Sequence, residues 1–407
     1  MAQPKRYDAV PASPRNLIAT ELAGDVMRPI AGLMFRPRFA MEVRGFDTLP
    51  KKEPYLLLSN HVGFHDPFQL ILAAKRVVHF LTTQATMTDP VLGRVMQAFG
   101  AIPKQKGVAD PKAIRGLQEW VKVGGAVGLF PEGERSWTGA PLPILPGIER
   151  LARVLRVPVV TARIENADFL TPRWAEHARR SKVRITFDSP WEIDRKAKRT
   201  EIRDALIERL SIDPANCWRA PVRGRRFARG ITNILYRCPS CAAIESLVEG
   251  DDDLSCRRCG DTWDVGPDNH LENPKERRPI WELVPQMQAA LAETYDAQLE
   301  QSGSQPEDPS SILVRSLEPV EMFQVDAPEA GRVRGDLVVS VDEVRIERGG
   351  ERVWRIPLQE VGAMTVEMRR RLQVIASGGK LYEFDVPRES VLKFKFAVDH
   401  LKSRAGA

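Results

Sequence analysis

No stretch of this 407-residue chain approaches the ~18 continuous apolar residues that a membrane-spanning helix requires. The N-terminus is polar and dotted with proline, so no secretory signal is expected. Cysteine is scarce, with five residues of which four fall in two CxxC pairs, and this usage suits a reducing cytoplasm better than an oxidising compartment. There is neither a nucleophile-elbow serine or cysteine nor an HExxH pattern, so nothing points to a covalent enzyme intermediate or a catalytic metal. Among the arginines of the 219–229 stretch only Phe227 is aromatic, too thin an interleaving for single-strand nucleic-acid binding. What is present is an ordinary globular share of apolar residues, 43%, and length enough for two or three domains. A net charge of +6 favours anionic partners: a phospholipid surface, CoA phosphates or nucleic acid.

Two segments carry the chemistry. Asn60-His61-Val62-Gly63-Phe64-His65-Asp66 follows the apolar run Tyr55–Leu58, and Phe130-Pro131-Glu132-Gly133-Glu134-Arg135-Ser136 follows Ala126–Leu129. Such short runs, bounded by Pro, Gly and Asn, read as buried strands of an α/β sheet, whose ligands gather at the strand ends. His61 is the candidate base and Asp66 the carboxylate that orients it, although Asp66 before Pro67 is also a helix-start signal. Gly133 allows close approach of the backbone to an anion, and Arg135 can pair with phosphate. Glu132 and Ser136 complete the same binding turn. Lys104 and Lys106, after Pro103 in an extended loop, add two cations. His65 lacks a third metal ligand nearby and is expected to line the entrance or to pack.

The His-x4-Asp pair and the Phe130–Ser136 block resemble two motifs of the glycerolipid acyltransferase family, to which the 1-acylglycerol-3-phosphate acyltransferases belong. Gly100–Lys106 resembles a further block, with lysines where the family usually carries arginine, and Val157–Val160 resembles a buried strand of the family. The likeness spans residues 15 to 212. It implies transfer of an acyl group from acyl-CoA or acyl-carrier protein to the hydroxyl of 1-acylglycerol-3-phosphate, without a catalytic cofactor. Alternatives are a lysophospholipid acyltransferase remodelling another lipid, or a catalytically idle lipid-binding homologue. The implied acceptor is a membrane lipid, and nucleic acid is not expected as a partner.

Alternation of strands and helices through this region argues for a mixed, largely parallel sheet flanked by helices, the acyltransferase domain of residues 1–215. Its N-terminal segment, Asn16–Met41, mixes apolar residues with cations, and Pro29 and Pro37 are expected to limit helix length. It reads equally as a segment resting on the anionic cytoplasmic face of a membrane or as a helix packed on the core. Residues 216–235 read as a basic linker, usually solvated, with a lipid-headgroup patch as the next reading. Cys238-x-x-Cys241 and Cys256-x-x-Cys259, fourteen residues apart, then mark a zinc ribbon over 236–270, with structural zinc on four thiolates. A helix and linker fill 271–310. From 311 to 407, hairpins turning at Gly349-Gly350 and Gly378-Gly379, followed by a helix, resemble a pleckstrin-homology-like or GRAM-like β domain.

Overall fold

The computed structural model describes residues 9–35, 37–83, 86–87, 89–104, 110–194, 196–301, 312–325, 327–387 and 389–405. Lys106 and the expected linker 302–311 lie outside these residues. The chain divides into two compact units, one of residues 1–173 and 178–224, the other of 174–177 and 225–407.

The first unit opens with α1 (Pro14–Phe35) and β1 (Phe39–Arg44), then runs β2 (Leu56–Ser59), α2 (Asp66–Ala74), β3 (Val78–Thr83), α3 (Leu92–Ala98), β4 (Ile102–Lys104), α4 (Pro111–Lys122) and β5 (Ala126–Leu129). It continues through α5 (Ile148–Leu155), β6 (Val159–Glu165), α6 (Ala167–Leu170), β7 (Ser181–Phe187) and α7 (Arg199–Leu210). Seven strands form one sheet in the order β1-β7-β6-β2-β5-β3-β4. β6, β2, β5, β3 and β4 are mutually parallel, while β7 runs antiparallel to β6 and carries β1 parallel to itself. The sheet is therefore mixed and largely parallel, as expected.

Continuous apolar runs make the central strands because both faces are covered. Leu57 belongs to the core on one face, while Leu56 and Leu58 belong to the core on the other. Each is wholly buried, which contributes about 1.5–3 kcal/mol per side chain. α4 shows how the local code operates: the Asp110 carboxylate accepts from the amides of Lys112 and Ala113 at 3.0 and 3.1 Å, and Pro111 takes the first helical position. Ala113, Leu117 and Trp120, spaced by four and three, form the buried face.

One expectation changes, and two stretches gain detail. α1 continues for six residues beyond Pro29, because a proline removes one backbone donor and bends a helix without having to end it. Phe39–Arg44 is an edge strand, so the segment expected over Asn16–Met41 is a helix followed by the start of a strand. In the stretch 216–235, expected as a basic linker, Arg219 pairs with the buried Asp168, Arg223 bridges backbone to backbone with Arg180, and Arg226 and Arg229 both meet Asp251.

In the second unit β8 (Leu247–Glu249), β9 (Asp253–Cys256), β10 (Thr262–Val265), β11 (His270–Glu272) and β12 (Arg277–Pro279) form an antiparallel meander in reverse chain order. Helix α8 (Ile280–Gln301) follows. An eight-stranded antiparallel sheet then contains β13 (Ile312–Arg315), β14 (Val320–Gln324), β15 (Arg332–Ser340), β16 (Glu343–Arg348), β17 (Glu351–Pro357), β18 (Val361–Met368), β19 (Arg371–Ala376) and β20 (Leu381–Asp385). The glycine pairs turn the β16–β17 and β19–β20 hairpins, with φ between +59° and +88° at all four glycines. Helix α9 (Leu392–Ala405) follows the sheet.

Candidate active site and four-cysteine cluster

Because β2 and β5 are parallel neighbours, the segments leaving their C-terminal ends emerge side by side. Asn60 fixes the exit of β2 by exchanging two hydrogen bonds with the Ile164 backbone of β6, at 2.8 and 2.9 Å. His61 then turns its Nδ1 to Asp66 Oδ2 at 2.8 Å. The same oxygen accepts the amides of Val62 and Gly63 at 2.7 and 2.8 Å. Asp66 is wholly buried. It lies in the first turn of α2, whose cap position belongs to His65, so its carboxylate is directed back to the 61–63 turn and does not cap the helix. A side chain at Gly63 would come within 2.9 Å of Asp66 Oδ1, which is why the turn keeps a glycine there.

The imidazole is held from a second side. Phe130 stacks on it with centroids 3.8 Å apart, and Phe80 stacks on Phe130 in turn. Burial pulls the His61 pKa below its ordinary value against the opposing pull of Asp66, while the nearby charges of Arg135 and Arg173 reinforce the decrease. Neutral imidazole with Nδ1–H directed at Asp66 leaves the Nε2 lone pair to receive a proton.

Glu132 and Ser136, expected in contact with substrate, are engaged with the backbone. Glu132 accepts the amide of His61 at 3.1 Å on one oxygen and that of Leu142 at 3.0 Å on the other, and burial pushes its pKa up to about 8. The Ser136 amide donates to the His61 carbonyl at 2.7 Å. Its hydroxyl donates to the Ala140 carbonyl at 2.6 Å and accepts from the amides of Thr138 and Gly139. The Phe130–Ser136 block thus grips the peptide groups on both sides of His61. Gly133 has φ +74°, the left-handed geometry that a side chain resists, and an added Cβ would meet Leu145 at 2.4 Å.

Arg135 is half-buried in the same turn. Lys104 ends β4, a short edge strand where a loop was expected, and burial lowers its pKa. His65 packs edge-on against Phe64, with ring centroids 5.5 Å apart. Two further groups carry no signal in any motif. Arg173 donates to the Arg135 carbonyl at 2.6 Å, pairs with Glu134 at 3.3 Å and lies 4.1 Å over the Trp137 ring. Asp168, buried against Gly139, accepts hydrogen bonds from Arg219 on both carboxylate oxygens, at 2.8 and 3.0 Å.

In the second unit the sulfur atoms of Cys238, Cys241, Cys256 and Cys259 all lie within 4.8 Å of one another. Cys238 and Cys259 are separated by 3.8 Å, as are Cys241 and Cys256. A tetrahedron of Zn–S bonds near 2.3 Å has edges of about 3.8 Å, so the donor set fits that ion. Two tight turns present the thiolates: the Ala242 amide donates to the Cys238 carbonyl, and the Gly260 amide to that of Cys256.

Comparison with known proteins places names on the first unit. Residues 40–165 match the model of the family described as Acyltransferase. A chloroplastic 1-acyl-sn-glycerol-3-phosphate acyltransferase, BAT2, of Brassica napus is 28% identical over 151 residues, covering 36% of this chain and 43% of the relative. The 1-acyl-sn-glycerol-3-phosphate acyltransferase of Borreliella burgdorferi is 27% identical, covering 24% of this chain and 40% of the relative. The Bacillus subtilis enzyme of the same name is 23% identical, covering 31% and 62% respectively. This chain therefore spans less than two thirds of each relative's length. The crystal structure of the 1-acyl-sn-glycerophosphate acyltransferase PlsC from Thermotoga maritima aligns with a TM-score of 0.41 at 21% identity, over 48% of this chain and 76% of that one. The segment that holds His61, Asp66 and the Phe130–Ser136 turn thus lies within the match to the Acyltransferase family model and is similar to 1-acyl-sn-glycerol-3-phosphate acyltransferases.

Proposed function

We propose that this protein transfers a fatty acyl group from acyl-CoA or acyl-carrier protein to the free hydroxyl of 1-acylglycerol-3-phosphate, giving phosphatidic acid. The observation that carries the reading is the 2.8 Å contact of His61 Nδ1 with a buried carboxylate, which leaves Nε2 as the base. Nε2 removes the hydroxyl proton as the alcohol oxygen bonds to the thioester carbonyl carbon. The tetrahedral intermediate then collapses, the C–S bond breaks, and the departing thiolate takes the proton from the imidazolium stabilised by Asp66. No acyl-enzyme is needed. Arg135 is assigned to the acceptor phosphate, with Lys104 and Lys106 in support and Gly133 giving access to the backbone. Glu132 and Ser136 act by holding the peptide groups of His61.

The acyl chain and the membrane are assigned to the surface around α1 in the first unit. Ile18, Leu22, Val26, Ile30 and Leu33 recur at three- or four-residue intervals on α1 and are each between 47% and 71% exposed. A groove of about 540 Å³ between α1, β1 and α2 is lined by Leu33, Phe39, Met41 and Leu72. Phe39 leads from it to His65, beside Asp66, with ring centroids 6.3 Å apart. Among the described residues no helix is long and apolar enough to cross a membrane. These features support peripheral attachment to a membrane, which we assign to an anionic surface on the cytoplasmic side. The four cysteines are assigned to a structural zinc, since four thiolates fill a tetrahedral ion and leave no position for chemistry.

The test is an acceptor panel with purified protein and labelled acyl-CoA or acyl-carrier protein. Transfer to 1-acylglycerol-3-phosphate in preference to neutral or zwitterionic lysolipids is expected. A preference for lysophospholipids would establish the remodelling alternative, and no transfer to any acceptor would establish an idle homologue.

A further inference from the structure

Arg173 stands outside every motif, yet its side chain is only 4% exposed and is committed to the turn that bears Arg135. It follows α6, more than thirty residues after that turn in sequence. Three contacts converge on the turn: its Nη1 donates to the Arg135 carbonyl at 2.6 Å, pairs with Glu134 Oε2 at 3.3 Å, and its guanidinium carbon lies 4.1 Å from the centroid of the Trp137 ring. Together they take hold of residues 134, 135 and 137. Ser136, between them, is already tied to the His61 carbonyl at 2.7 Å. A buried cation so placed fixes the backbone from which the Arg135 side chain departs. A guanidinium supplies several donors and a π face for the Trp137 ring on one planar group, which an ammonium does not.

We propose that Arg173 is a positioning residue for Arg135, clamping the Glu134–Trp137 segment so that the Arg135 guanidinium meets the anionic headgroup of the acceptor. The inference rests on the acyl-transfer reading above and adds to it a determinant of acceptor recognition. Arg173 also depresses the pKa of His61 through its charge, so it bears on the base as well as on the headgroup. Removing that charge shifts the His61 pKa upward.

The test uses the full chain as wild type, Arg173→Gln, Arg173→Lys, Arg135→Ala and the Arg135→Ala/Arg173→Gln double variant. Apparent KM is measured for 1-acylglycerol-3-phosphate and for the acyl donor, with kcat/KM followed against pH. Arg173→Gln is expected to raise the acceptor KM about tenfold with the donor KM within about twofold, and to move the acid limb of the pH profile upward. Arg173→Lys, which keeps the charge but not the fork or the stacked face, should restore the pH limb and only part of the acceptor KM. The double variant should be no worse for the acceptor than Arg135→Ala alone, because one residue acts through the other. Additive effects, or donor and acceptor constants rising together, would overturn the assignment and leave Arg173 as a general structural residue. If Arg173→Gln does not fold, an acceptor KM for Arg173→Lys equal to that of wild type overturns it equally. A wild type that transfers to no phosphate-bearing acceptor would instead remove the underlying function, and this inference with it.

Discussion

A histidine that accepts a proton through one ring nitrogen needs the other held as a donor, and at His61 a single carboxylate oxygen does this while also receiving two backbone amides. His61→Ala is therefore expected to abolish acyl transfer without unfolding the protein, and Asp66→Asn to reduce it by several orders of magnitude, as mis-oriented triads do. Circular dichroism and labelled-donor assays check both, and wild-type turnover in a folded His61→Ala protein would end the assignment. The pH dependence follows from the direction of the shift. His61 is active when neutral and its folded pKa lies below the usual 6.5, so kcat/KM should fall only as pH drops through a midpoint below that value. Asp66 raises this pKa, so Asp66→Asn should move the residual acid limb lower still. The residues proposed to carry charge or the proton could be named from their types and spacing. Their supports were less so: a motif names Glu132 and Ser136 but not the peptide groups they grip, and Arg173 and Asp168 lie far along the chain with no local pattern.

Elements show the same division between local and non-local information. The buried runs of β2 and β5, and the Asp110-Pro111 start of α4, could be read directly because periodicity and capping are written in adjacent residues. β1 and β4 could not, since both are edge strands in cationic, proline-dotted sequence and owe their existence to the neighbour they pair with. Packing also explains a glycine that looks incidental in β5. A Cβ at Gly128 would come within 2.6 Å of Phe80 and 2.7 Å of Val78. Gly128→Ala is thus expected to destabilise the first unit by about 1–3 kcal/mol, read from denaturant midpoints. Since Phe80 stacks on Phe130 and Phe130 on His61, the same change should lower activity under conditions where the protein is folded. In the second unit the proposed zinc would join Cys238 and Cys241, ahead of β8, to Cys256 and Cys259 at the β9–β10 turn. Elemental analysis should find about one zinc per chain, and chelation or Cys238→Ser should increase amide exchange across 236–266. Reduced, metal-free protein with unchanged exchange there would exclude the structural zinc.

On the scale of the whole molecule, attachment and threading follow from features on different elements. The exposed stripe of α1 and the net charge of +6 together lead to binding of anionic vesicles that weakens with salt but does not vanish, since an apolar component is not screened. Replacing Leu22 and Val26 by glutamate should release the protein from vesicles in flotation assays, while a protein that still floats would place the contact elsewhere. The division into two units has a consequence for how the protein is made. Residues 174–177 belong to the unit that otherwise begins at Arg225, while the intervening 178–224 returns to the first. Trp174 is wholly buried, and its carbonyl receives the Asn233 side chain. As the chain leaves the ribosome, residues 174–177 emerge well before Arg225, where the rest of their unit begins, so the Trp174 carbonyl lacks its Asn233 partner until the later polypeptide has been synthesised. A gene cut after Gly224 would make that transient state permanent, and its product should be prone to aggregation however well the seven-stranded sheet has formed.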